Sequence, residues 1–165
     1  MTFDTVVIIH GGELATDVAQ QVAAKKPARL ASSSLQVSVR NASERPKTLL
    51  DFGPNTLLCF LIQTIENAAP TEDGGACIRF FKRKAHPEDL LKGKFSFAVL
   101  GLGDSNLLLD RQKTTAQDCN QCAQELDSRL EALGGHRHFA LGVADERTGL
   151  EEVEPWIDSF WSSIE

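Results

Sequence analysis

The chain has 165 residues, 42% of them hydrophobic, with four cysteines, no tyrosine and a formal net charge of −6. That length fits a single domain, 1–165, with a sizeable core, and the acidic balance offers no basic field to neutralise phosphates, which argues against nucleic acid as a partner. No apolar run reaches the roughly 18 residues of a membrane span, Met1-Thr2-Phe3-Asp4 leads straight into a strand pattern without the layout of a signal peptide, and four cysteines make no disulfide framework. No membrane partner and a reduced, cytoplasmic setting are therefore expected.

Thr5 to Ile9 is a β-branched run that suits a buried first strand, broken by His10-Gly11-Gly12. Ala15, Val18, Ala19 and Val22 then fall at helical spacing over Ala15 to Lys25. A strand, a glycine loop and a helix open a βαβ unit, and such a loop aims N–H groups and a helix N-terminus at an anion. Lys25 to Ser34 reads as a connection, Leu35 to Val39 alternates like an exposed strand, Asn41 to Lys47 is a charged loop, and Leu49 to Pro54 holds one helical turn. Leu57 to Ile62 is the strongest buried-strand run. Gln63 to Gly75 reads as a long loop after it, and Ala76 to Lys84 as a short helix with a basic outer face. Phe95 to Leu100 is the central strand, leaving through Gly101-Leu102-Gly103-Asp104-Ser105-Asn106. After an irregular stretch from Leu107 to Thr115, Cys119, Cys122, Ala123, Leu126, Leu130 and Leu133 mark a helix stopped by Gly134-Gly135. His138 to Leu141 is a short strand, Val143 to Gly149 a polar loop, and Leu150, Val153, Ile157, Phe160 and Ile164 the stripe of a final helix. Strands alternating with helices predict an α/β three-layer sandwich on a parallel sheet. In a five-stranded sheet of order 2-1-3-4-5, the loops leaving strands one, three and four converge at the topological switch point, where ligands sit.

Phe97-Ala-Val-Leu-Gly-Leu-Gly-Asp-Ser105, Leu126-Asp-Ser-Arg-Leu130 with Leu133-Gly-Gly135, Pro70-Thr71-Glu72-Asp73, and Leu150 to Trp161 with its Val153-Glu-Pro-Trp156 core together resemble the flavodoxin-like FMN domain of the diflavin reductases, of the methionine synthase reductase kind. The resemblance covers nearly the whole chain. It implies FMN, with its phosphate in the first loop at His10, Gly11, Gly12, Glu13, Leu14 and Ala15. The isoalloxazine ring would lie between the second loop (Thr64, Ile65, Glu66, Asn67) and the third (Leu102, Gly103, Asp104, Asn106), with Asn120 and Asp145 as further contacts. It implies electron transfer without acid–base chemistry. The partner would be an FAD/NADPH reductase module or another redox protein, and this chain carries no such module.

The loops depart from the family's pattern. Where the family resembles Ser-Gln-Thr-Gly-Thr, this chain has His10-Gly11-Gly12-Glu13-Leu14, which lacks the hydroxyls and adds a carboxylate. Where it resembles Thr-Thr-Gly-x-Gly, this chain has Thr64 to Ala68 without glycine, and no tyrosine is present to stack on a flavin. Two readings follow: an FMN-binding electron-transfer domain, or a degenerate flavodoxin-like fold that has lost FMN and serves as a docking or scaffold module.

Other signals read more plainly. Cys119-x-x-Cys122 lies on an apolar stripe and reads as core thiols, and His136 and His138 read as a surface pair with no metal. Arg79 to Lys84 reads as a solvated helix face that could meet an acidic partner. Glu151, Glu152 and Glu154 complement a helix dipole. No nucleophile–base pair and no third glycine of a dinucleotide fingerprint follow Gly101-Leu-Gly103.

Overall fold

The computed structural model describes residues 3–31, 34–65, 69–107, 116 and 118–164. The chain runs β1 (Thr5–Gly11), α1 (Glu13–Ala24), a short α2 (Ala28–Ala31), β2 (Gln36–Asn41), a 3₁₀ turn over Pro46–Asp51, and β3 (Thr56–Ile65). It continues with β4 (Ala69–Pro70), α3 (Glu72–Phe81), β5 (Ser96–Gly103), α4 (Gln121–Ala132), β6 (His136–Arg137), β7 (Gly142–Asp145) and α5 (Val153–Ser162). The sheet order is β2-β1-β3-β5, and β6 and β7 follow each other along the far edge of β5. Together they occupy one fifth-strand position, so the expected order 2-1-3-4-5 is the one observed. All these pairings are parallel; β4 alone runs antiparallel, against the end of β3.

Strict alternation along the central strands builds two cores. Val7 and Ile9 of β1, Leu58, Phe60 and Ile62 of β3, and Phe97 and Val99 of β5 pack beneath α3 and α4. Val6 and Ile8, Leu57, Cys59 and Leu61, and Ala98, Leu100 and Leu102 pack beneath α1 and α5. A parallel sheet covered on both faces needs such continuous apolar runs. Trp161 Nε1 donates to Val22 O at 2.9 Å and ties α5 to α1 under the second core.

Several boundaries differ from the sequence reading. The fifth strand is not His138 to Leu141; those residues lie between β6 and β7. The reason is aromatic packing. Phe139 leaves the ladder to meet Trp156 and Phe160, with ring centroids 5.5 and 6.2 Å away. Pairing resumes at Gly142, where a Cβ would meet Trp156 Cδ1 at 2.3 Å. The long loop expected over Gln63 to Gly75 is instead a hairpin into β4 followed by the start of α3. Thr71 caps that helix by accepting from Gly74 N at 3.2 Å, with Glu72 and Asp73 in the favoured acidic first turn.

Candidate functional site

At the carboxyl edge of the sheet, β1 does not stop at Ile9. His10 and Gly11 keep their places in the ladder opposite Leu61 and Ile62, and His10 also pairs with Asn41. The helix α1 then begins at Glu13, so a single residue, Gly12, joins strand to helix. Gly12 adopts φ 128, a conformation open to glycine, and a Cβ there would meet Gln63 Oε1 at 2.4 Å. Gln63 lies over this junction because its side-chain oxygen accepts from Leu14 N at 3.0 Å. One of the orphan N–H groups that every helix start presents is thus satisfied by the chain's own amide.

The neighbouring groups are similarly engaged. Thr16 Oγ1 donates to Gly12 O at 3.1 Å, which puts the proton of its 3.1 Å contact with His10 on Nδ1. Burial pulls the His10 pKa below its ordinary value, against the pull of Asp73, so His10 is neutral at pH 7 and brings no cation to the junction. Gly11 abuts α3 backbone to backbone; a Cβ on it would meet Gly74 Cα at 2.6 Å. Ala15 is buried in the second core, Leu14 is half-buried, and Glu13 is exposed on the first turn of α1.

On the β3 side, Thr64 is buried and its hydroxyl accepts from Cys122 N at 3.2 Å, capping α4 from another strand. Ile65 is 37% exposed, an unusual position for a large apolar side chain here. Glu66 and Asn67 lie outside the described residues.

On the β5 side, the strand runs through Gly101 and Gly103, so the glycines belong to the ladder and the exit begins at Asp104. They are small because α4 enters directly above them. A Cβ on Gly101 would meet Asn120 Oδ1 at 2.6 Å, and one on Gly103 would meet Cys119 O at 2.2 Å. Leu102 points into the second core. Asp104 accepts from Asn106 N at 2.9 Å and closes an Asx turn that presents Asn106 to solvent. Asp145 accepts from Ser105 N at 2.9 Å and Arg147 N at 3.0 Å. Burial alone would raise its pKa; the Ser105 and Arg147 contacts outweigh burial and hold it below the usual carboxylate value. Asn120 is fully buried and donates to Ala116 O at 2.7 Å and Ala144 O at 2.9 Å, so it braces the third loop against β7. Burial pushes the Cys119 thiol up to about 12, which keeps it protonated as a packing group.

The structure therefore brings all the described candidates to one edge. Register sets the β3 and β5 exits side by side: Gln63 pairs with Leu102, so Ile65 and Asp104 each stand two residues beyond a paired position. Gln63 was not among the candidates from sequence; its partner is 49 residues away, and no local pattern marks it.

A family model for flavodoxin matches residues 15–156. The chain belongs to the flavodoxin family. The flavodoxin match begins after the β1–α1 junction. The chain is 33% identical to methionine synthase reductase of Bos taurus over 109 residues, which is 66% of this chain and 14% of that protein. It is 32% identical to NADPH–cytochrome P450 reductase of Musca domestica over 112 residues, 67% of this chain and 15% of that protein. The chain thus corresponds to a small part of these reductases. A flavodoxin from Pseudomonas aeruginosa superposes with a TM-score of 0.66 at 18% identity, covering 97% of this chain and 98% of that one, which shows the shared fold. This is a flavodoxin-like domain similar to the flavin modules of diflavin reductases. No helix among the described residues is long and apolar enough to cross a membrane.

The fit to FMN differs between the two ends of the site. The ring side fits: Ile65 offers an exposed apolar edge, and the Asp104–Asn106 turn offers polar groups beside it. The α1 N-terminus as folded does not fit a phosphate dianion. It has a one-residue junction, its Leu14 amide is taken by Gln63, and Glu13 places a carboxylate on its first turn.

Proposed function

We propose that this chain is a single-domain electron-transfer module of diflavin-reductase type, which takes FMN at the carboxyl edge of its sheet. The observation that carries the reading is the flavodoxin match over residues 15–156; the β5 exit at Gly103–Asn106 is where the resemblance to the family would put the ring. FMN supplies one-electron chemistry when bound. The chain's own part is to seat the ring edge against Ile65, Gly103, Asp104 and Asn106, and to keep the α4 and β7 supports rigid through Asn120 and Asp145. Electrons arrive from an FAD/NADPH reductase module or another redox protein. Four buried free cysteines suit a reducing compartment, the cytoplasm.

The Gln63 bond at the α1 junction favours a second reading, in which the fold persists as a docking module without flavin. A visible spectrum separates the two. Purified protein is mixed with excess FMN, gel-filtered and scanned. Retained bands near about 370 and 450 nm support the electron carrier. A colourless protein overturns it and leaves the docking module.

A further inference from the structure

A groove runs along the outside of α3, remote from the switch-point edge in its chemistry. Its centre is a cleft of about 610 Å³ between the 3₁₀ turn and α3, walled by Arg45 and Lys47 on one side and Arg79 and Arg83 on the other. All four are exposed, and no carboxylate lines the cleft. Among the described residues none of the four is ion-paired, whereas Lys25, Lys82 and Arg137 are. On a chain of net charge −6, four unpaired cations facing one cleft are a local reversal of sign.

The walls are built. Arg40 donates through Nε and Nη2 to Glu44 O at 3.2 and 2.6 Å and through Nη2 to Arg45 O at 3.0 Å, gripping the turn that presents Arg45 and Lys47. Arg45 sits at φ 40, a left-handed conformation that an arginine adopts only at a cost. On the other wall, Arg129 donates to Phe81 O at 2.7 Å and to Arg83 O at 3.2 Å, fixing the end of α3. Arg83 lies over the Phe80 ring at 5.1 Å. Two arginines are thus spent on carbonyls, and three arginines and Lys47 are left to face outward.

The floor is apolar, from Pro46, Ala76 and Phe80, and the groove extends at both ends. Arg79 and Arg83 also line a second cleft of about 340 Å³ floored by Pro70 and Ile78, where the one carboxylate, Glu125, is ion-paired with Lys82. Lys47 and Thr48 also line a third of about 430 Å³ that reaches Leu50, Asp51 and Lys94. Three clefts sharing walls exceed what a small anion fills and suit an extended chain.

We infer that this groove docks a protein segment in which acidic and apolar side chains alternate, presented by a partner protein, with its carboxylates on Arg45, Lys47, Arg79 and Arg83 and its apolar side chains on the Phe80 floor. Guanidinium forks suit carboxylates in this role. The surface lies beside α3, and only its second cleft, at Pro70 and Cys122, approaches the carboxyl end of β3.

The test is fluorescence anisotropy with a short fluorescein-labelled peptide alternating glutamate and leucine, titrated with the full chain. Saturable binding is expected, weakened about tenfold or more between roughly 0.05 and 0.5 M salt. The double variant Arg79→Glu/Arg83→Glu and, separately, Lys47→Glu are each expected to weaken it about tenfold. Arg29→Glu, on α2 beneath the opposite face of the sheet, should leave it unchanged. Circular dichroism confirms that each variant is folded. A glutamate–serine peptide should bind more weakly. The proposal is overturned by absent or salt-insensitive binding, or by equal loss in Arg29→Glu. It is also overturned by equal binding of a lysine–leucine peptide, or by a single-stranded oligonucleotide of the same charge binding as tightly, which would make the groove a general polyanion site.

Discussion

At the scale of single residues, Gln63 decides how the β1–α1 junction behaves. Its Oε1 neutralises one helix-start amide that a phosphate would otherwise take, and its stem fills the space above Gly12. Flavin binding should therefore discriminate little between FMN and riboflavin. Gln63→Ser frees the Leu14 N–H, and one recovered bond to a charged acceptor contributes about 1.5–3 kcal/mol. The ratio of FMN to riboflavin affinity is thus expected to rise about tenfold or more, read by flavin fluorescence titration of both ligands. An unchanged ratio would show that the phosphate never approaches α1. Gly103 sets the opposite boundary of the site. Its missing side chain is the space into which Cys119 O descends, 2.2 Å from where a Cβ would stand. Backbone cannot step aside as a flexible side chain can, so Gly103→Ala should cost about 1–3 kcal/mol or more in urea unfolding. A variant as stable as the parent would mean that α4 slides freely over β5.

At the scale of elements, the helix starts around the carboxyl edge are held by side chains from other strands. α4 is the clearest case. Its Asn120 cap position makes no side-chain cap bond, and Thr64 of β3 reaches across to Cys122 N instead. Thr64→Val keeps the shape and removes the acceptor that the Cys122 N–H uses, at about 0.5–1.5 kcal/mol for one lost hydrogen bond. The unfolding midpoint should fall while amide exchange in the first turn of α4 accelerates; unchanged exchange there would reject the cap. These cross-element bonds also explain what was legible in the sequence. The alternating runs of β1, β3 and β5 and the stripes of α1, α4 and α5 are local patterns, so the strands, the helices and their layers could be read from periodicity, while the sheet order came with the family resemblance. The start of α3 could not, since Gly74-Gly75 reads as a breaker, yet Gly74 is where Gly11 presses its backbone against the helix. The signal that did exist was Thr71 ahead of Glu72-Asp73. The glycine pair at 101 and 103 was correctly singled out, but as a turn; it is strand made narrow for a helix. The candidate site was legible as a place at the carboxyl edge and illegible in its partners. Thr64–Cys122 and Gln63–Leu14 join residues 58 and 49 apart, and only the folded register brings them together.

At the scale of the whole molecule, His10, His138 and Asp145 act in one direction on acidification. Burial lowers the pKa of His138, helped by nearby His136, although its Nε2 bonds Ser163 O at 3.1 Å. Burial likewise lowers that of His10. A histidine whose folded pKa lies below its unfolded value of 6.5 binds more protons when unfolded. Its stability contribution is therefore complete above about pH 6.5 and drains as the pH falls below that value. Asp145, held below 3.8, contributes fully above its unfolded pKa and is lost only as the pH drops through its lower folded value. The thermal midpoint should thus fall in two steps on acidification, the first below about pH 6.5 and the second below about pH 3.8. His138→Gln keeps a donor toward Ser163 without a titrating proton and should flatten the first step while leaving the second. Asp145→Asn should do the reverse and also lower the midpoint at neutral pH, because Ser105 N–H and Arg147 N–H then meet a neutral oxygen. A first step that survives in both His138→Gln and His10→Gln would place the acid sensitivity outside these two rings. A second step that survives in Asp145→Asn would show that the third loop does not depend on this carboxylate to hold its place beside β7.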